Sequence, residues 1–367
     1  MDFTRTEAAQ DLSGLVGTIV DTVCTPDHQR ELDRLEQRFD TTLWRKLIDA
    51  DILSTAAPEN IGGGGFGVLE QAAILTALGR QIAAAPYLES VVLAAGALAR
   101  FGSAQLQQDW AAPAVRGDIV LTVALDGELG QGPVQATPTG DGVRLTGTRT
   151  QVPFGPVADA FLVPAETDSG TRVFLVSAKD PGVSVITLET TGLTSAGELD
   201  LAGVHLGADR VVGAADADVS AWLCMHRAVG LSAYQLGVLE RALELTAEYA
   251  RTREQFDRPI GSFQAVAQRL ADDYIDIKGL RLTVQQAAWR LSEDLPADTE
   301  VATAAFWATE AGHRVAHTTV HVHGGVGIDM DHPVHRYFIT AKQAEFALGG
   351  ATAQLRVIGR DLADTPA

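Results

Sequence analysis

Residues 251–272 read RTREQFDRPIGSFQAVAQRLAD, and their order decides how the C-terminal half of the chain is built. On the N-terminal side a helical pattern runs through residues 219–256, VSAWLCMHRAVGLSAYQLGVLERALELTAEYARTREQF, long enough for one helix of roughly 30 residues. On the C-terminal side a helical pattern resumes at Gln264. Between them Pro259 and Gly261 supply the break. Helices this long, joined by a short break, predict a bundle. A junction needs its breakers and nothing more. Arg253, Phe256 and Gln264 in this order are extra, and they predict a ligand.

Upstream, from about Asp118 to Gly213, the texture changes. IVLTVAL (119–125), GVRLTGTRTQV (142–152), DAFLVPA (159–165), TRVFLVSA (171–178) and GVSVITLE (182–189) are short, rich in Val and Thr, and separated by Gly, Pro and Asp. This spacing predicts an antiparallel barrel or sandwich. Before it the pattern is helical again. TTLWRKLIDADIL (41–53) puts Leu43, Leu47 and Ile48 on one face. PENIGGGGFG (58–67) must be a loop. VLEQAAILTALGRQIAAAP (68–86) resumes a helix that Pro86 ends, and SVVLAAGALARFG (90–102) is another, stopped by Gly102. The expected organisation is α+β and multidomain: residues 1–117 helical, 118–215 a central β-domain, and 216–367 a helical bundle.

Of the 367 residues, 46% are hydrophobic and 20% charged, the composition of a globular protein. A net charge of -19 argues against a nucleic-acid partner, whose phosphates demand a basic face. Two distant cysteines, Cys24 and Cys224, provide neither a disulfide framework nor a zinc spacing, so no metal is expected. They fit a reducing compartment. MDFTRTEAAQDL is polar and acidic, unlike a signal peptide. No uncharged apolar run of about 18 residues occurs, so no membrane span is expected. The expected location is cytoplasmic.

The helical, β, helical order with RTREQFDRPIGSFQ early in the last region resembles the acyl-CoA dehydrogenase family over nearly the whole chain. PENIGGGGFG is similar to that family's Pro-Glu-x-x-Gly-Gly loop, and residues 321–346, HVHGGVGIDMDHPVHRYFITAKQAEF, to its late Gly-Gly loop and following helix. The resemblance implies an N-terminal helical domain, a central β-barrel or sandwich and a C-terminal four-helix bundle, with FAD bound between subunits. It implies α,β-dehydrogenation of an acyl-CoA, in which a glutamate removes the α-proton and the flavin takes the β-hydride. Residue by residue, Arg253 matches the arginine that grips the FAD pyrophosphate of a neighbouring subunit. Phe256, Ile260 and Phe263 match the apolar floor, and Gln264 the polar contact beyond it. His321 stands where the family usually has glutamine, before Gly324 and Gly325. A guanidinium suits the pyrophosphate because its fixed fork meets phosphate oxygens in pairs.

The family's base is a carboxylate, because α-proton abstraction needs a positioned acceptor. Leu348 occupies its usual position, in EFALGG, and cannot accept a proton. The alternative position, on the first long bundle helix, falls in LCMHRAVG (223–230), which holds no carboxylate. The expectation is therefore no catalytic residue on this chain. The family's Thr-Glu-Pro-x-x-Gly-Ser-Asp segment is replaced by VALDGELGQGP (123–133), and its Trp-x-Thr by Gln151, Val152 and Pro153. Pro153 has no amide hydrogen to donate.

Lost ring-side chemistry beside a kept pyrophosphate grip resembles one subunit of heterotetrameric, α2β2 actinobacterial acyl-CoA dehydrogenases that act on steroid side-chain CoA esters. A homologous catalytic partner would bind most of the acyl-CoA, and an electron-transfer flavoprotein-type acceptor is compatible. Two other readings stay open: a self-sufficient enzyme using His226 or Glu345 as base, and a non-enzymatic scaffold of the same fold. Retention of Arg253 with Gln264 disfavours the scaffold, and the missing base positions disfavour self-sufficiency.

Overall fold

The computed structural model describes residues 3–127 and 131–364. The N-terminal helices are α1 (Glu7–Val23), α2 (Pro26–Leu32), α3 (Thr41–Asp49), α4 (Ile52–Thr55) and α5 (Val68–Arg80). A π-helical stretch, Tyr87–Ala95, continues into α6 (Gly96–Phe101). After α7 (Ala104–Leu106) a second π turn, Gln107–Ala111, leads into α8 (Ala112–Arg116). The helix expected up to Pro86 ends earlier, at Arg80, because Ile82 takes a positive φ of 52°.

Helix α5 is the axis of this domain. Every residue from Glu70 to Gly79 is buried. Its start is fixed from two sides: Glu70 accepts the Gly67 N–H at 3.1 Å and the Thr6 hydroxyl at 2.7 Å. Thr6 itself caps α1 by accepting from the Ala9 N–H. Helix α5 then crosses the first bundle helix, α9 (Val219–Thr252), on two glycines. A Cβ on Gly79 would stand 2.0 Å from the Tyr234 carbonyl oxygen, and one on Gly237 1.9 Å from that of Thr76. Only glycine permits backbones this close.

The central strands are β1 (Leu121–Val123), β2 (Val134–Pro138), β3 (Gly142–Pro153), β4 (Ala160–Thr167), β5 (Gly170–Ser177), β6 (Val183–Thr187), β7 (Ala196–Gly207) and β8 (Val211–Val212). They form one sheet in the order β6-β7-β3-β2-β4-β5-β8, with β1 also on β4. The expected all-antiparallel pairing is corrected here: β1 and β2 both run parallel to β4. The reason is topological. The hairpin of β2 with β3 lies between β1 and β4 in sequence, so β1 and β2 reach β4 in the same sense.

The C-terminal region packs α9, α10 (Gln264–Ser292), α11 (Asp298–His323) and α12 (Val334–Ala347) as a bundle, with α13 (Ala351–Asp364) against α11. A polar clasp joins all three regions. Asp33 accepts from Arg38 Nε at 3.1 Å and from both terminal nitrogens of Arg336 on α12. Arg38 also donates to the Leu193 carbonyl in the β6–β7 loop and to Gln29. From the other side Gln343 on α12 accepts the Leu193 N–H at 3.1 Å and donates to Thr194. No helix among the described residues is long and apolar enough to cross a membrane.

Candidate flavin-binding site

At its C-terminus α9 stops at Thr252, and Arg253 turns extended at φ -74°, ψ 121°. Its N–H still closes on the Tyr249 carbonyl at 2.8 Å, and its carbonyl accepts the Ile260 N–H at 2.9 Å. Between these bonds the chain makes a two-residue hairpin of β9 (Glu254–Gln255) and β10 (Arg258–Pro259). Its tip is Phe256 and Asp257, with φ of 54° and 59°. That left-handed pair is the geometry of a type I′ turn. So the tight reversal lies at Phe256–Asp257, ahead of the proline and glycine; residues Ile260–Ser262 form a single 3-10 turn into α10. The strained tip holds Phe256 86% exposed, edge-on to Phe263 at 6.2 Å, with Arg258 stacked 4.0 Å over the Phe263 ring.

Facing this hairpin is the turn after α11. Arg253, Gln255 and Ile260 line an open hollow of ≈ 550 Å³ together with His323, Gly324 and Gly325. Gly324 takes φ 63°, and a Cβ on it or on Gly325 would meet nothing within 4 Å, so the backbone lies bare. The guanidinium of Arg253 has no ion pair or hydrogen bond among the described residues. A free cation beside bare glycine backbone, on an open hollow, fits the pyrophosphate of a dinucleotide.

Of the sequence-derived site residues, Arg253, Ile260, Gly324 and Gly325 meet at this hollow. Phe256 and Phe263 pack together beside it, and Gln264 is the exposed first residue of α10. His321 is exposed and outside the lining; the lining histidine is His323. His323 is buried, stacks on Tyr249 at 4.3 Å, and donates from Nδ1 to the Thr319 carbonyl at 2.8 Å. Burial lowers its pKa below the ordinary histidine range, which outweighs the Thr319 bond. Arg253 therefore supplies the positive charge. Sequence spacing could not choose between two histidines two positions apart on one helix end; only their faces differ.

At the positions where a base would sit, the chemistry is spent. Leu348 is buried in the main hydrophobic core. His226 stacks on Trp222 at 3.8 Å, and its Nδ1 donates to the Trp222 carbonyl at 2.9 Å. Burial pushes its pKa down to about 4. Glu345 is paired with Lys342 and lies 3.4 Å from His313. In the alternative base window Arg227 pairs with Asp126 of the ring-side segment. Of that segment, residues 128–130 lie outside the described residues. On the neighbouring strand Gln151 adopts φ 54°, and the Pro153 carbonyl accepts the Thr122 hydroxyl at 2.6 Å. Among the described residues no cluster of three or more metal-ligating side chains occurs.

The fold is that of an acyl-CoA dehydrogenase, and comparison agrees. The family model for the acyl-CoA dehydrogenase N-terminal domain matches residues 6–118, and that for the acyl-CoA dehydrogenase C-terminal domain matches residues 218–363. The chain belongs to this family, whose cofactor is FAD. It is 72% identical to acyl-CoA dehydrogenase FadE27 of Mycobacterium tuberculosis, covering 100% of both chains. Among solved structures it matches a chain of the ChsE4-ChsE5 complex from Mycobacterium tuberculosis with TM-score 0.98, 74% identity and full coverage of both chains. A chain of the Tcur3481-Tcur3483 steroid ACAD G363A variant matches with TM-score 0.92 and 39% identity, covering 98% of this chain and 99% of that one.

Proposed function

We propose that this chain is one of two unlike subunits of an FAD-dependent acyl-CoA dehydrogenase, and that it contributes the pyrophosphate grip while its partner contributes the base. The observation that carries this reading is the pairing of a free Arg253 guanidinium on an open hollow with a buried Leu348 at the base position. When bound, FAD supplies the hydride acceptor for oxidation of a CH–CH bond. Arg253 holds the pyrophosphate with paired N–H donors, and the bare backbone of Gly324 and Gly325 lets it approach. Tyr249 and His323 brace the hollow as a stacked pair. Among the described residues, none at the two base positions can move the α-proton. Ile328 and Met330, 72% and 67% exposed on the turn beside the hollow, add to Phe256 an apolar rim of the sort a partner covers. The likeness to a chain of the ChsE4-ChsE5 complex supports an unlike partner subunit, and that to a steroid ACAD supports a steroid CoA ester as substrate; the α2β2 stoichiometry and the side chain as the oxidised part belong to the reading itself.

The test is FAD retention by the complex with its partner. Arg253→Ala removes charge-assisted hydrogen bonds contributing roughly 1.5–3 kcal/mol each, so FAD affinity should fall by at least about tenfold. Arg253→Lys should recover only part of it, because an ammonium lacks the fork. Full flavin retention by Arg253→Ala would refute the grip. Turnover by the chain without a partner would refute the division of labour.

A further inference from the structure

Away from the flavin-binding hollow, α5, α9 and α10 enclose a second recess beneath the N-terminal strap, residues 4–6. Its volume is ≈ 70 Å³. One water needs roughly 10–15 Å³ on this scale, so the recess holds a ligand the size of about five waters. Ala72, Ala73 and Leu236 make an apolar wall, and Arg5 and Arg281 border it.

The charges around it do not balance. Arg281 donates to Glu240, which also accepts from Arg80 at 3.1 Å. Arg80 donates in addition to both oxygens of Glu244 at 2.8 Å, and Arg241 reaches the same carboxylate at 3.1 Å. The Arg5 guanidinium has no hydrogen bond or ion pair among the described residues. Burial, with the repulsive field of Arg281 added, lowers its pKa, and the attraction of Glu240 offsets this only in part. Three guanidiniums thus share two carboxylates, and Arg5 pairs with neither, in a chain whose net charge is -19. A further carboxylate, Glu70, is taken up by Thr6 and Gly67. The Nε–H of Arg281 is buried without an acceptor. A buried donor left unmade is costly and calls for an explanation, and a bound acceptor is one.

We propose that this recess binds a short aliphatic carboxylate of about four to six carbons, set by its volume. The carboxylate accepts from Arg5 and Arg281, and the tail lies on Ala72, Ala73 and Leu236. The site is separate from the flavin hollow and does not depend on the proposed division of labour.

The experiment is calorimetric titration of the full chain, in the assembly it forms on purification, with hexanoate, 1-hexanol and inorganic phosphate. Hexanoate should bind saturably at one per chain, at least about tenfold more tightly than either comparison probe. Arg281→Gln should weaken hexanoate by at least about tenfold, and Arg5→Gln, on the strap, should do the same without touching the bundle. Ala73→Leu, which fills the recess, should abolish binding while flavin content stays unchanged. No saturable hexanoate binding up to about 10 mM, a range in which even weak sites fill, would overturn the proposal. So would equal binding of hexanol or phosphate, or binding that survives both arginine variants. A crystal structure of the assembly with a protein carboxylate seated between Arg5 and Arg281 would overturn it too.

Discussion

Replacing Asp33 by asparagine should loosen the joint between the three regions. Asp33 is the one carboxylate of the clasp, set between Arg38 and Arg336, whose side chains are only 9% and 7% exposed. Asparagine keeps the shape and one acceptor oxygen but strands two buried guanidiniums. Removing one partner of a buried pair costs about 3–5 kcal/mol. Asp33 itself is 32% exposed, so solvent screening favours the low end, roughly 3 kcal/mol. Unfolding entropy of about 2.1 cal/mol/K per residue converts this to a Tm lower by roughly 4 °C for a chain this long. The pH dependence has a definite sign. Burial raises the pKa of Asp33, but hydrogen bonds and charge from Arg336 and Arg38 outweigh it, and the net shift is down. A carboxylate depressed in the folded state stabilises above its unfolded pKa of about 3.9 and loses that contribution as pH falls through the folded value. Thermal unfolding of wild type and Asp33→Asn should therefore differ at pH 7 and converge under strong acid. An unchanged Tm at pH 7, or a gap that persists undiminished below the folded pKa, would refute the clasp.

The glycine crossing gives a steric counterpart. Gly237→Ala puts a Cβ 1.9 Å from the Thr76 oxygen and should destabilise toward the upper end of about 1–3 kcal/mol, whereas Gly14→Ala on the open face of α1 should stabilise by about 0.5–1 kcal/mol; denaturant midpoints check both. Glu89, on the π-helical stretch, has its pKa raised to about 7 by burial, against the weaker pull of its own backbone N–H and Arg227. A carboxyl raised in the folded state stabilises below its unfolded pKa and loses that contribution as pH rises toward 7, so Glu89→Gln should raise Tm at pH 8 and leave it little changed at pH 4. His226 shifts the other way, down to about 4, so His226→Phe should flatten the loss of stability between about pH 6.5 and 4. In the assembled enzyme, His226→Ala and Glu345→Gln should keep turnover within about threefold, a barrier change below 1 kcal/mol, because neither supplies the base.

The helical, β, helical order was legible because the hydrophobic period changes from 3.6 to 2 and back. Arg253 stood out because a helix junction has no structural need of it, and Gly324 and Gly325 through the resemblance alone; the structure brings the three to one hollow. The parallel partners of β4 were hidden, since parallel pairing depends on chain path and leaves no mark on short Val- and Thr-rich runs. Among the longer strands, β2 and β7 escaped notice for a related reason: VQATP carries two polar residues and a proline in five, and AGELDLAGVHLG carries three glycines and two acids. The clasp was invisible too, because Asp33 and Arg336 stand 303 positions apart and each alone reads as a surface charge. The tight turn at Phe256–Asp257 defied the ordinary signal, which expects glycine or asparagine at left-handed positions. An exposed phenylalanine held in that conformation is a local cost that a binding role explains.

The central claim is that this chain's grip serves a flavin whose catalytic base belongs to another subunit. The most direct measurement is native mass spectrometry of the chain co-purified with its partner acyl-CoA dehydrogenase subunit, with FAD counted in the same spectra. The account predicts an α2β2 species carrying one FAD for each pair of unlike chains, and loss of that FAD in the Arg253→Ala complex. A stable homotetramer of this chain carrying one FAD per subunit and oxidising an acyl-CoA would contradict it.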